Sequence, residues 1–326
     1  MSLNSKIEAL LPLRDVIAAF DLRAKKSLGQ NFLLDLNLTR KIARTAGDLS
    51  QTTILEIGPG PGGLTRALFL EGAQKVIAIE QDRRAVEALQ SLKQASEGRL
   101  EIINGDALAY DYASIGKETR PLAKLSSDSQ VRGAYGTEDR SVLNIYEDLS
   151  TRATKQLAAE GEFCKRSIKI IANLPYNIST VLLIKWLQQA SLFSSLTLMF
   201  QKEVADRLTA SVGTPSYGRL SIITQWRTHI RSCFDIPPSA FVPAPKVTST
   251  VVHIVPRAEK ELVSSFSALE AVTKAAFGQR RKMIRSSLKS LWGAETPSKI
   301  RQAGLNPEDR AEDIPLEGYV KLALLK

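Results

Sequence analysis

The residues of this chain that carry chemistry stand where apolar, strand-sized runs stop: Gly58 after 53–57, Glu80 after 76–79, Asp106 after 100–103 and Asn173 after 167–172. In an open α/β sheet, ligands gather outside the carboxyl ends of the strands. Asn173 leads into Leu174, Pro175 and Tyr176, so an amide, a prolyl carbonyl and a phenol fall within four residues. That set suits attack by a planar aromatic amine on an activated carbon. The exocyclic amine of a purine is a poor nucleophile because its lone pair is delocalised into the ring. Two acceptors directed at its hydrogens, the Asn173 side-chain carbonyl and the Pro175 backbone carbonyl, draw the nitrogen toward tetrahedral geometry as the new bond forms. Tyr176 then stacks on the base. Taken alone, the pattern better fits a turn satisfied by Asn173 and a tyrosine packed in the core, since short motifs recur by chance.

These residues need elements to position them. The run 167–172 is β-branched, and Pro175 cannot continue a central ladder, so the sequence predicts a strand followed by a loop over 173–176. The run 53–57 passes at once into Gly58-Pro59-Gly60-Pro61-Gly62-Gly63 and a helix from about Leu64. Glycines there let the backbone approach a ligand, and the helix start supplies free N–H groups. Glu80, twenty-two residues beyond Gly58, is placed to accept from two ribose hydroxyls. This pair serves NAD as well as any other nucleoside cofactor. Asp106 is placed to accept from an adenine amine.

Upstream, 1–22 carries an amphipathic helical pattern broken at Pro12, followed by a basic cluster and then Gln30-Asn31, which read as either a solvated turn or a ligand-facing loop. A helix capped by Asp35 and stopped at Gly47 comes next. Beyond the Asn173 strand the pattern predicts a helix over 179–189, a strand over 196–200 and a helix over 201–208. Three β-rich runs at 220–226, 230–236 and 249–255 complete the sheet. Prolines stiffen the loop 237–247 around Phe241, which reads as a core plug or as the partner of Tyr176 in clamping an extruded base; Lys246 reads as a candidate phosphate ligand.

Across 326 residues, 44 Lys and Arg face 34 Asp and Glu, and the net charge of +10 favours a polyanionic partner, most simply nucleic acid. The two cysteines, Cys164 and Cys233, form no CxxC pair, and His229 and His253 have no neighbours at metal-ligand spacing. A reduced cytosolic chain without zinc is expected. No apolar run approaches ~18 residues and no leader opens the chain, so neither a membrane span nor a secretory signal is expected. From 258 onward the helical candidates are 261–277, 279–291, 297–303 and 316–325. Within them Lys274, Arg280, Arg281, Lys282, Arg285 and Lys289 are six cations in a sixteen-residue stretch without an acid, the expected clamp on an RNA backbone.

With Gln30 and Asn31 upstream of the four strand ends, the constellation resembles an S-adenosylmethionine-dependent amino-methyltransferase. The segments GQNFL (29–33), EIGPGPGGLT (56–65), GDA (105–107), NLPY (173–176) and FVPAPKV (241–247) are similar to those of the ribosomal RNA adenine dimethyltransferases, the KsgA/RsmA group, and span most of the chain. The resemblance implies an α/β fold: a Rossmann-like seven-stranded S-adenosylmethionine-dependent methyltransferase sheet over 1–257 and a small all-α rRNA-binding domain over 258–326. It implies that Asn31, Leu33, Gly58, Glu80, Asp106 and Asn173 contact the methyl donor, with Gln30 beside them, and that Asn173, Pro175, Tyr176 and Phe241 serve the base. It implies as substrate two adjacent adenosines in a hairpin near the 3′ end of small-subunit rRNA. The partners are then that rRNA and the pre-30S particle, met by a cytoplasmic monomer with no metal.

Two other readings stand beside it: a large-subunit rRNA methyltransferase, and a ribosome-assembly or mitochondrial transcription factor with dispensable catalysis. One departure from the family is an insert over about 109–165. The stretch 107–167 carries nine basic and nine acidic residues, and this neutrality argues for a surface excursion rather than an RNA arm. Segment 116–141 reads as flexible and 142–160 as one helix, placed to gate the site at most.

Overall fold

The computed structural model describes residues 2–22, 29–118, 168–258 and 264–326. β-branched residues that are buried on both faces make the centre of a parallel sheet, and the central strands of this chain fit that rule. β2 (Thr53–Ile57) is buried at every position, and β5 (Ile168–Asn173) at all but Lys169 and Asn173. With β3 (Lys75–Glu80), β4 (Leu100–Asn104), β6 (Ser195–Gln201), β7 (Thr228–Ile236) and β9 (Ser249–Pro256) they form one seven-stranded sheet in the order β4-β3-β2-β5-β6-β9-β7. The first five strands in that order are parallel, while β9 runs antiparallel to both β6 and β7. A second, two-stranded sheet pairs β1 (Phe32–Leu33) with β8 (Phe241–Val242).

The strand order fixes where a ligand sits. From β2 the chain winds outward through β3 and β4, then returns to lay β5 on the other side of β2 and β6 beyond it. The direction reverses between β2 and β5, and a crevice opens at their carboxyl ends. Gly58 follows the first of these strands and Asn173 ends the second. Alternation along the strands sends Leu55, Ile77 and Ile170 to one core layer, with the helix Tyr176–Gln188, and Ile54, Val76 and Ile171 to the other, with the helices Leu36–Thr45 and Gly63–Leu70. Lys169 ties the base of β5 to the end of the helix Leu36–Thr45 by donating to the carbonyls of Ala46 and Asp48 at 2.8 and 2.6 Å.

Three local expectations need correction. The β-rich run 220–226 is the helix Arg219–Arg227, with Ser221, Ile222, Ile223, Thr224 and Trp226 buried; a short apolar run leaves period ambiguous, and packing decided it. No loop spans 173–176, because Pro175 caps a helix that starts at Tyr176 rather than 179. The stretch 279–291 is not one helix: Met283 bridges to Arg310, and two short helices, Ile284–Ser287 and Lys289–Trp292, follow. The Asp35 cap is as expected, its side chain accepting from the N–H groups of Asn37 and Leu38 at the start of its helix, whereas the helix expected over 142–160 lies outside the described residues.

The C-terminal helices, from Phe266–Gly278 to Leu316–Leu324, are packed about a third core. That core also takes in Tyr217, Ile222 and Trp226 from upstream of β7. The Tyr217 phenol donates to the Ile314 carbonyl at 3.1 Å, so the helical unit is seated on the helix Arg219–Arg227. Most of the insert and the basic cluster 23–28 lie outside the described residues; within the insert, the helix Tyr112–Glu118 is described and Tyr112 is fully buried. No helix among the described residues is long and apolar enough to cross a membrane.

Candidate functional site

One pocket gathers the sequence-predicted donor residues. Its walls are the 29–33 segment, the glycine turn after β2, Glu80 and Gln81 after β3, residues 105–108 after β4 and residues 173–178 after β5. Gln30, Asn31, Leu33, Gly58, Glu80, Asp106, Asn173, Pro175 and Tyr176 all line it. Close backbone packing forms the roof. A Cβ on Gly63 would lie 2.7 Å from the Leu33 carbonyl oxygen, and one on Gly60, where φ is +55°, would lie 2.8 Å from the Phe32 ring. Only glycine lets the 29–33 segment settle onto the helix start.

The acidic wall is held by the backbone. Glu80 is buried, with Oε2 accepting from the Gly60 N–H at 3.0 Å and Oε1 from the Asp82 N–H at 2.9 Å. Burial pushes its pKa up, and the N–H groups of Asp82, Gly60 and Gln81 oppose that. Each oxygen keeps a lone pair for a ligand hydroxyl. The exposed Asp106 spends Oδ1 on the Leu108 N–H at 2.8 Å, which fixes the carboxylate at the pocket rim.

Sequence reasoning missed a second acid. Glu56 is 1% exposed, lines the pocket, and has an Oε2 without a hydrogen-bond partner. Burial raises its pKa to about 8; the Thr65 hydroxyl acts against the rise and the Glu80 carboxylate adds to it. Burial thus favours the neutral carboxyl, and a cation brought beside it would draw it toward the charged form. The signal was legible: one acid interrupts an otherwise uncharged strand, Thr53-Ile54-Leu55-Glu56-Ile57.

At the β5 end, the Asn173 Nδ2 donates to the Asn31 carbonyl at 3.0 Å. The amide is thereby turned so that Oδ1, which has no bond to a described donor, remains an acceptor. The Pro175 carbonyl accepts from the Ile178 N–H at 3.2 Å and keeps its second lone pair. Tyr176 is half-buried, its phenol 2.6 Å from the Ser249 hydroxyl, and burial raises its pKa. Phe241 is not at the pocket surface. It is 2% exposed, lies in the core layer that holds Leu33 and Leu64, and pairs in register with Leu33.

The expected RNA contacts lie apart from the pocket lining. Lys246, Lys274, Arg281, Lys282, Arg285 and Lys289 are exposed and Arg280 is half-buried. The stretch that lacks an acid in sequence gains two by folding: Arg280 pairs with Glu312 and Arg285 with Glu308. Among the described residues no cluster of three or more His, Cys, Asp or Glu could hold a metal ion.

The chain is 49% identical over 322 residues to a protein named ribosomal RNA small subunit methyltransferase A from Xanthobacter autotrophicus, covering 98% of this chain and 95% of that one. A solved dimethyladenosine transferase from Plasmodium falciparum shares the fold with a TM-score of 0.63 at 23% identity, over 90% of this chain and 96% of that one. The 23S rRNA methyltransferase ErmE matches with a TM-score of 0.60 at 21% identity, over 90% and 98%. The family model described as ribosomal RNA adenine dimethylase matches residues 21–326. On that match and that identity, the chain belongs to the ribosomal RNA adenine dimethylase family.

Proposed function

We propose that this chain transfers methyl groups from S-adenosylmethionine to the N6 amines of two adjacent adenosines in the 3′-terminal hairpin of 16S rRNA. The observation that carries this is the Asn173 amide. Its nitrogen is bound to the Asn31 carbonyl, and its oxygen is left as an acceptor beside the Pro175 carbonyl. The donor fits the chain's residues, for an adenosine bearing an ammonium and a sulfonium matches the Glu80 carboxylate and the orphaned oxygen of Glu56. When bound, S-adenosylmethionine supplies an electrophilic methyl group on sulfur.

The protein's part is position. Glu80 takes the ribose hydroxyls, Asp106 the adenine amine of the donor, and Gly58, Gln30, Asn31 and Leu33 close around it. The Asn173 and Pro175 carbonyls would accept from the substrate amine and hold its nitrogen toward the methyl group that the donor would supply. The surplus proton then leaves the amine for solvent. Tyr176 stacks on the target base; Phe241 joins it only if RNA binding draws its ring out of the core. Lys246, Lys274, Arg281, Lys282 and Lys289 hold phosphates, and Arg280 and Arg285 do so once Glu312 and Glu308 release them. The helical unit 258–326 binds the rRNA while seated on the methyltransferase unit 1–257. A monomer acting in the cytoplasm on the pre-30S particle completes the reading.

The fold alone does not choose between subunits, since ErmE shares it; the full-length 49% match to a small-subunit enzyme supports the small subunit. Transfer of label from S-adenosylmethionine to under-methylated small subunits, and none to large subunits, is the expected result. Label in the large subunit alone refutes the assignment.

A further inference from the structure

Tyr176 is tied at both ends. Its carbonyl accepts from the Ser179 hydroxyl at 3.0 Å in the first turn of its helix, and its phenol lies 2.6 Å from the Ser249 hydroxyl. Ser249 is 0% exposed and opens β9, paired with Gln201 of β6 on one side and Ile236 of β7 on the other. The stem of the 237–248 loop, which carries Phe241 and Lys246, therefore closes at the residue that holds the Tyr176 ring. Next to it, the Thr248 carbonyl accepts from the Lys202 N–H at 2.9 Å.

We propose that Ser249 is a positioning residue, fixing the Tyr176 ring as a preordered stacking face for the target adenine and linking that face to the 237–248 loop. The inference rests on Tyr176 being the base-stacking residue. A phenol pinned at its far end by a buried residue of a strand paired on both sides cannot swing about χ1, so the ring need not be ordered when the base arrives. Phenylalanine would offer the same apolar face without the pin. The need for a tyrosine at this position thus lies in its hydroxyl, which meets protein rather than substrate.

The test compares Ser249→Ala, Ser249→Thr, Tyr176→Phe and the double variant Ser249→Ala/Tyr176→Phe with wild type, in single-turnover methylation of under-methylated small subunits at saturating S-adenosylmethionine. Donor affinity and melting temperature are measured alongside. Ser249→Ala and Tyr176→Phe are each expected to slow methylation about fivefold, the worth of one hydrogen bond. Donor affinity stays unchanged, the double variant is no slower than either single, and Ser249→Thr restores the rate. Tyr176→Phe leaves the sheet untouched, so a folding defect of Ser249→Ala cannot mask the outcome. Wild-type rates in both single variants overturn the proposal. So do losses that multiply in the double variant, or a loss carried by weaker donor binding and a lower melting temperature. An inactive wild type overturns the functional reading and this inference with it.

Discussion

Under the proposed function, the two sides of this molecule would meet their ligands differently. On the donor side the polar groups are locked by the backbone before any ligand arrives: Gly60 and Asp82 hold Glu80, Asn31 holds Asn173, and the Gly58 N–H is bound to the Ile79 carbonyl at 2.9 Å. On the side proposed for RNA the groups are cations on long side chains, all exposed but the half-buried Arg280, and two of them are paired with Glu308 and Glu312. A small cationic nucleoside is bound through a few fixed distances, which reward preorganisation. A polyanion is bound through a field that salt screens and that tolerates movement. Substitutions on the first side should therefore cause large, specific losses, and substitutions on the second small, distributed ones.

The largest effect is expected at Asn173. Asn173→Ala removes the acceptor proposed for the amine and should slow methylation about a thousandfold, while RNA affinity in a filter-binding assay stays at wild type. Next comes Glu80→Ala, which deletes the ribose acceptor and strands the Gly60 and Asp82 N–H groups; calorimetry should find donor affinity about a hundredfold weaker. Phe241→Ala sharpens the contrast, because the ring belongs to the core rather than to the pocket. It should destabilise the protein by about 3 kcal/mol in urea unfolding, and full stability with lost methylation would move Phe241 to the RNA side.

The buried Glu56 gives a pH signature. Its folded pKa of about 8 lies above the ordinary 4.5, so the ligand-free folded state binds more protons than the unfolded state between those values. Stability conferred by the neutral carboxyl is complete below 4.5 and is lost as pH rises through about 8. The melting temperature of the ligand-free protein should fall across that window, and Glu56→Gln should flatten the fall. The smallest effect is expected for Lys282→Ala, which should lower the logarithmic salt slope of RNA binding by about 1 and leave donor affinity alone.

Much of this was legible from the sequence. Strands 53–57 and 168–173 announced themselves by β-branched burial, and each site residue at a strand end was set by where its apolar run stopped. The residues that close the site from a distance were less legible. Pairing of Phe241 with Leu33 and of Ser249 with Tyr176 spans long separations, and no local pattern encodes them. The run 220–226 misled because Ile222 and Ile223 suit a strand as well as a buried helix, and only packing decides, Ile222 in the core of the C-terminal helices and Ile223 in the core that holds Leu198 and Val252. Likewise the cationic stretch carries no acid of its own, and Glu308 and Glu312 reach it only through the fold.

The most direct measurement is to map modified nucleotides by mass spectrometry in under-methylated small subunits treated with the protein and S-adenosylmethionine. The account predicts N6,N6-dimethyladenosine at two adjacent positions in the 3′-terminal hairpin. Methyl groups on ribose or on a pyrimidine carbon, or on no adenine amine at all, would contradict it.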